Sequence, residues 1–146
     1  MDSSGEEKKG KLKVLVADDN GNHRNIMRLL LEKEGFVVAE AHSGEGAVHA
    51  FEEWAPDIVV LDSMLPQKCG MDCLLYIRNH PRQREVKVVM CSAKTDIDYV
   101  LACLEAGADG FIFKPFDAER FQRRIRHIVS GGKDDNLRSS ADAAGS

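Results

Sequence analysis

The chain has 146 residues, enough for one domain with a proper hydrophobic core. Hydrophobic residues make up 43% of it and charged residues 30%, as in ordinary globular proteins. The net charge is −4 and no basic stripe is present, which argues against nonspecific nucleic-acid binding. No apolar run approaches the roughly 20 residues of a membrane helix, and the N-terminus lacks a signal peptide's apolar core. We therefore expect a cytoplasmic protein that binds neither nucleic acid nor membrane.

Three segments of different composition divide the chain. Residues 1–10 are charged and small, and they predict a disordered N-terminal segment. Residues 11–130 carry the apolar patterns of a folded domain. Residues 131–146 are rich in Gly, Ser and Asp and predict a flexible tail. We accordingly expect no second folded domain in this chain.

Strand and helix patterns alternate along the folded segment. Apolar runs predict five strands, at 11–19, 36–41, 58–61, 86–92 and 110–113. Apolar residues with helical spacing follow each run, and in the first helix this spacing selects Ile26, Leu29 and Leu30 as the core-facing residues. Short connections between alternating strands and helices predict an α/β fold with a doubly wound, five-stranded parallel sheet covered on both faces.

The cysteines and histidines show no metal-binding spacing. The cysteines are Cys69, Cys73, Cys91 and Cys103, and none forms a C-x-x-C pair. We expect reduced thiols, with Cys91 and Cys103 acting as small hydrophobic residues. The histidines are scattered and are interpreted as surface residues: His23, His42, His49, His80 and His127.

Polar side chains stand at the carboxyl ends of four predicted strands. The first strand ends in Asp18 and Asp19, the third in Asp62, the fourth in Ser92, and the fifth in Lys114. Each of these residues alone is explained more simply as part of a turn. The carboxyl ends of parallel strands, however, share one edge of the sheet, where ligands bind. We therefore expect the five side chains to lie close together.

This combination of groups is suited to phosphoryl transfer. Three clustered carboxylates repel one another unless a cation neutralises them. Carboxylate oxygens are hard ligands that suit Mg²⁺, or Mn²⁺, and Mg²⁺ commonly bridges carboxylates to a phosphate. A carboxylate can attack phosphorus to form an acyl phosphate, while Lys114 and Ser92 offer an ammonium and a hydroxyl to the phosphoryl oxygens.

These residues also carry a family resemblance. The matching positions are Asp18-Asp19, Asp62, Ser92-Ala93 and Lys114-Pro115. In this order and at these strand ends they resemble the receiver domain of bacterial two-component response regulators, the CheY-like family. The resemblance covers about residues 12–130. It implies a flavodoxin-like fold with strand order 2-1-3-4-5. It also implies a phosphorylation-dependent signalling switch that is not an enzyme beyond its own phosphorylation and dephosphorylation, and we expect no output domain in this chain.

The resemblance implies an acceptor and a metal site. Asp62 would accept a phosphoryl group from a histidine kinase or a histidine phosphotransfer protein. Asp19 would bind Mg²⁺ directly, together with Asp62, and Asp18 would bind it directly or through water. The backbone carbonyl of Met64 would complete the protein ligands.

The resemblance also implies a phosphoryl-binding set and a switch. Ser92, Ala93 and Lys114 would hold the phosphoryl group, and the Lys114–Pro115 peptide would be cis. Ser92 would move toward the phosphoryl group, and Phe111 resembles the aromatic residue that turns inward with it.

Two further expectations concern lifetime and partners. Met64 and Lys94 occupy the family's variable positions, two residues after the acceptor and two after the hydroxyl, and would tune the lifetime of the phosphorylated state. A downstream protein would bind the face formed by the fourth helix, the fifth strand and the fifth helix. The protein would be a monomer or would form a weak dimer through that face.

Three alternative functions remain open from the residues. A small phosphatase of the haloacid-dehalogenase type also uses an Asp nucleophile at a strand end, but it needs a second Asp where this chain has Met64. A flavodoxin-like FMN binder would require amides and hydroxyls rather than three carboxylates around the phosphate. A pseudo-receiver that never takes phosphate would typically lack one of the five positions.

Overall fold

The computed structural model describes residues 11–82, 85–93 and 96–131. The expectations for residues 1–10, for Lys94 and for the predicted tail after Gly131 fall outside these ranges.

Within the described ranges, five strands alternate with five helices, as the sequence predicts. The strands are β1 (Lys13–Ala17), β2 (Val37–Ala41), β3 (Ile58–Asp62), β4 (Lys87–Ser92) and β5 (Gly110–Phe113). The helices are α1 (Gly21–Lys33), α2 (Gly44–Trp54), α3 (Gly70–Arg78), α4 (Ile97–Glu105) and α5 (Ala118–Val129). None of these described helices is both long enough and apolar enough to cross a bilayer.

The strands form one parallel sheet with the order β2-β1-β3-β4-β5. This confirms the predicted flavodoxin-like α/β topology. The chain runs outward in one direction from β1 to β2 and then returns to place β3 on the other side of β1. A crevice forms at such a switch point, beyond the carboxyl ends of the two strands. Ala17 pairs with Leu61 across β1 and β3, so Asp18 and Asp62 follow side by side at that crevice.

The sheet separates two layers of core side chains. On one face, the buried residues of α2, α3 and α4 include Phe51, Leu74 and Val100. On the other face, α1 and α5 contribute Met27 and Phe121. All five residues of β3 are buried, because this central strand is covered by helices on both sides. Both core layers therefore hold the strand that ends in Asp62.

The predicted core face of α1 is wrong. Met27 and Leu31 are the fully buried residues of this helix, whereas Ile26 is 48% exposed and Leu29 is 51% exposed. Leu30 lies between these extremes and packs against the buried cluster. The segment contains two overlapping apolar stripes with helical spacing, so spacing alone cannot select the buried one. Docking of α1 against β1 and α5 makes that selection.

Candidate functional site

Three carboxylates converge at the switch point of the sheet. Ligand oxygens of Asp18, Asp19 and Asp62 all lie within 4.8 Å of one another. Asp18 is fully buried and Asp62 is 8% exposed, whereas Asp19 faces solvent. The cluster is thus buried on its inner side and accessible from outside.

Backbone amides hold the two inner carboxylates in place. Asp18 Oδ1 accepts a hydrogen bond from the Asn20 amide at 2.9 Å, and Asp62 Oδ1 accepts one from the Met64 amide at 3.2 Å. The Asn20 side chain in turn caps α1 by accepting from the His23 amide at 3.0 Å. In both cases the turn that begins after the strand orients the carboxylate. The hydrogen bonds by which an Asp begins a turn therefore also position these two carboxylates in the site.

Lys114 reaches the carboxylates from the end of β5. Its ammonium donates to Asp18 Oδ2 at 2.6 Å and to Asp62 Oδ2 at 3.3 Å. The Lys114–Pro115 peptide is cis, as the family resemblance implied. The three strand ends β1, β3 and β5 are therefore joined by one side chain.

Charge is not balanced in this cluster. Burial is the largest influence on Asp62 and raises the pKa of its carboxyl; the charge of Asp18 also raises it, and Lys114 and the Met64 amide only partly oppose this. For Lys114, burial disfavours the ammonium, but the bond to Asp18 and the charges of Asp62 and Asp18 outweigh it and raise its pKa. Two carboxylates share one ammonium while a third stands beside them, so a further cation would be stabilised here.

The hydroxyl of Ser92 lies beneath the same edge. Ser92 ends β4 and is fully buried, while the following Ala93 is exposed. Asp62 pairs with Cys91 across β3 and β4, which places Ser92 one residue beyond Asp62 on the neighbouring strand. Its hydroxyl is hydrogen-bonded to the hydroxyl of Ser63.

Burial raises the pKa of the adjacent Cys91 thiol to about 12, so this cysteine remains a neutral core residue.

Two other predicted residues occupy contrasting environments. Met64 is 64% exposed in the loop after β3. Phe111 is 1% exposed, and its ring lies 5.0 Å from that of Phe113 and 6.2 Å from that of Tyr99, measured between centroids. In this structure Phe111 therefore points into the core.

The sequence-based interpretation of His23 was incomplete. Its side chain is 45% exposed, as a surface residue would be. Its Nδ1 nevertheless lies 3.2 Å from Lys114 Nζ and 3.8 Å from Asp18 Oδ2, so the ring borders the site. His23 lies in the first turn of α1, four residues after Asp19, but no local pattern marks its contact with Lys114. Ser63 was also missed, because a serine beside a strand end carries no distinctive pattern.

The model of the response regulator receiver domain matches residues 14–126 of this chain. The chemotaxis protein CheY of Bacillus subtilis is 38% identical over 119 residues, covering 81% of this chain and 98% of that protein. The DNA-binding response regulator MtrA of Mycobacterium tuberculosis is 38% identical over 114 residues, covering 78% of this chain and 49% of MtrA.

Solved structures agree with these sequence matches. A chain of the CheX–CheY–BeF₃–Mg²⁺ complex from Borrelia burgdorferi superposes with a TM-score of 0.76 at 30% identity, covering 81% of this chain and 89% of that one. The chemotaxis response regulator CheY4 of Vibrio cholerae gives a TM-score of 0.77 at 22% identity over 81% of this chain and 98% of its own, a likeness of fold alone.

The chain belongs to the response regulator receiver domain family. Members of this family are phosphoacceptor switches of two-component systems, and they interact with histidine kinases and with downstream partners. The chain spans about half the length of the DNA-binding regulators that it matches, such as MtrA at 49%.

Proposed function

We propose that this protein is a phosphorylation switch whose acceptor is Asp62. Its donor would be the phosphohistidine of a histidine kinase or of a histidine phosphotransfer protein. The observation that carries the proposal is the convergence of Asp62 with Asp18, Asp19 and Lys114 at the switch point of the sheet. Membership of the receiver family supports it further.

The transfer would begin with the carboxylate of Asp62. One of its oxygens attacks phosphorus while the bond from phosphorus to the imidazole nitrogen breaks and its electron pair returns to the histidine. An acyl phosphate forms on Asp62 and a neutral histidine is released after it takes up a proton. The side chain of Asp62 is 10% exposed, so part of the carboxylate is accessible to a phosphoryl donor.

The donor set fits a Mg²⁺ ion, with Mn²⁺ as a substitute. Asp19 and Asp62 would bind it directly, Asp18 directly or through water, and the Met64 carbonyl would add a fourth oxygen. The fit rests on oxygens from three carboxylates that lie within 4.8 Å of one another and on their incomplete neutralisation by Lys114. When bound, the ion would neutralise charge on the carboxylates and on the phosphoryl oxygens.

Groups already at the site would hold the phosphoryl group. The Lys114 ammonium would exchange its bond to Asp18 for a phosphoryl oxygen, and Ser92 and the Ala93 backbone would donate hydrogen bonds to the others. Phe111 would respond to the movement of Ser92. The exposed side chain of Met64, with Lys94, which lies outside the described residues, would control access of the water that hydrolyses the acyl phosphate.

The downstream partner would read the face formed by α4, β5 and α5. Ser92 precedes α4, and Lys114 lies between β5 and α5, so a movement of these two phosphoryl-binding residues would reach this face first. A weak dimer through the same face, formed by an otherwise monomeric protein, is a second expected consequence. The four cysteines are free thiols, which suits the reducing cytoplasm.

A direct test is incubation with acetyl phosphate and Mg²⁺, followed by intact-mass measurement. Wild type should gain one PO₃ unit that hydroxylamine removes, and Asp62→Asn should gain none. Asp57→Asn is the matched control, because Asp57 precedes β3 and accepts from the Lys13 amide at 2.8 Å, away from the cluster. This control should be labelled like wild type. Wild-type protein that forms no labile adduct would overturn the proposal.

A further inference from the structure

Ser63 lies directly after the acceptor but does not face solvent. It is 4% exposed, whereas the next residue, Met64, is 64% exposed. A buried hydroxyl requires a partner, and Ser63 has one in the hydroxyl of Ser92. The residue that would bind the phosphoryl group is therefore held, in this structure, by the neighbour of the acceptor itself.

Ser63 has a second partner on helix α4. The phenol of Tyr99 lies within hydrogen-bonding reach of the Ser63 hydroxyl and of the Cys103 thiol. Burial is the main reason that the pKa of Tyr99 is raised, so the phenol keeps its proton. The ring also packs edge-on against Phe111, at an interplanar angle of 86°. Three hydroxyls thus form a chain from β4, through the residue after β3, to α4.

The number of protons limits the directions in which the hydrogen bonds of these three hydroxyls can point. Each hydroxyl owns one proton, and phosphoryl oxygens only accept. When Ser92 donates to a phosphoryl group, its bond with Ser63 survives only with Ser63 as the donor. The Ser63 oxygen is then left to accept from Tyr99, which draws the Tyr99 proton away from Cys103. Without the phosphoryl group, either direction of the chain is allowed.

We propose that Ser63 is a positioning residue for Ser92 and that, through Tyr99, it couples occupancy of the phosphoryl site to helix α4. The inference rests on the proposed function, which supplies the phosphoryl group. Phe111 has no hydroxyl, so the polar connection to the face formed by α4, β5 and α5 runs through Tyr99. Phe111 provides the ring against which Tyr99 packs. Neighbouring hydrogen bonds polarise one another, so fixing one end of the chain stabilises a single direction along it.

The first test is Tyr99→Phe, which removes the hydroxyl and keeps the ring. Hydrogen exchange of peptides covering 97–105 is measured with Mg²⁺, with and without BeF₃⁻ as the phosphoryl mimic. Wild type should show a BeF₃⁻-dependent change that falls by at least about half in the variant, because one hydrogen bond changes a local opening equilibrium about threefold to tenfold. Tyr76→Phe is the matched control, since the Tyr76 hydroxyl bonds Glu52 on another face, and it should behave like wild type.

The second test separates positioning from metal binding. Ser63→Ala should lower the maximal rate of labelling by acetyl phosphate about threefold to tenfold, the value of one lost hydrogen bond. The half-saturating Mg²⁺ concentration should stay unchanged, because Ser63 contributes no side-chain ligand to the carboxylate cluster. Ser63→Thr, which retains the hydroxyl, should restore the rate.

The possible failures can be told apart. A wild-type protein that forms no adduct and shows no exchange response overturns the proposed function, and the inference with it. A wild-type response that Tyr99→Phe retains in full overturns the coupling alone. An unchanged labelling rate in Ser63→Ala, or a rate lost in both Ser63 variants, overturns the positioning role.

Discussion

Acidic residues stand at both edges of the sheet, and their surroundings differ. At the amino-terminal edge, Asp109 precedes β5 and accepts from the Arg78 guanidinium and from the Val88 amide, each at 2.8 Å. Arg78 also donates to the carbonyls of Gly107 at 2.8 Å and Val86 at 2.9 Å. The Asp109 carboxylate here faces one guanidinium, and the two groups also bond to the backbone of β4 and of the neighbouring segments.

The carboxyl-terminal edge has an excess of negative charge. Asp18 and Asp62 share the Lys114 ammonium, and Asp19 lies within the same 4.8 Å cluster. The raised pKa of Asp62 reflects burial that this shared ammonium does not fully offset. The comparison indicates that the matched charge of Asp109 stabilises the fold, and it leads us to expect a binding role for the unmatched cluster at the other edge.

Arg78→Met should cause the largest loss of stability. The change leaves the Asp109 carboxylate without its cation and frees two carbonyls, which should cost about 2–4 kcal/mol. The loss in the free energy of unfolding, measured by urea denaturation, should be the same with and without Mg²⁺. A loss that Mg²⁺ reverses would contradict the expected difference between the amino-terminal and carboxyl-terminal edges.

Lys114→Met should instead cause a loss that depends on Mg²⁺. In metal-free buffer Asp18 and Asp62 lose their shared cation, and the protein should lose about 1–2 kcal/mol. Saturating Mg²⁺ should remove most of the gap to wild type, because the ion replaces the missing charge. Urea denaturation in the two buffers measures both gaps, and equal gaps would contradict the predicted charge deficit.

Asp19→Asn should weaken Mg²⁺ binding while leaving the metal-free fold almost unchanged. Asp19 is exposed, so its removal disturbs little packing. A tenfold loss of affinity would reduce the Mg²⁺-dependent stabilisation by about 1.4 kcal/mol at a fixed high concentration. Thermal unfolding across a Mg²⁺ titration measures this. Glu45→Gln is the control, since Glu45 is an exposed acid in the first turn of α2, and it should titrate like wild type.

The smallest effect concerns the pH dependence of stability. The pKa of Asp62 is raised above 3.8, so the folded state binds this proton more tightly than the unfolded state does. Its contribution is therefore present below 3.8 and is lost as pH rises through the folded-state pKa. Asp62→Asn has no carboxyl that can titrate here. Its free energy of unfolding should therefore rise relative to that of wild type across this pH range, by roughly 1 kcal/mol or less. Metal-free urea denaturation at several pH values measures the gain, and a constant difference would contradict it.

Local patterns predicted much of the fold. The apolar runs and the turn residues between them identified five strands and five helices in the correct order, because periodicity and turn chemistry act over a few neighbouring residues. The parallel topology then predicted that Asp18, Asp62 and Lys114 would meet, since parallel strands end at one edge. The strand order itself came from the family resemblance and is confirmed by the pairing of β1 with both β2 and β3.

Other features depended on which elements pack together. Helical spacing selected Ile26 and Leu29 for the core of α1, but packing buried Met27 and Leu31. His23 was interpreted as a surface residue, yet it touches Lys114, which lies on a distant strand end. No local pattern marks such a contact, because its partner is chosen by the docking of helices on the sheet.

By itself, the sequence determined the alternation of elements and the set of reactive groups at the strand ends. Both follow from short-range properties of the chain, namely side-chain period, turn preference and the chemistry of the terminal residues. Only the tertiary structure decided how the charges are matched and how the hydroxyls are connected, as in the bond between Ser63 and Ser92. Those outcomes depend on distances between residues on separate strands and helices, and packing of the whole sheet sets these distances.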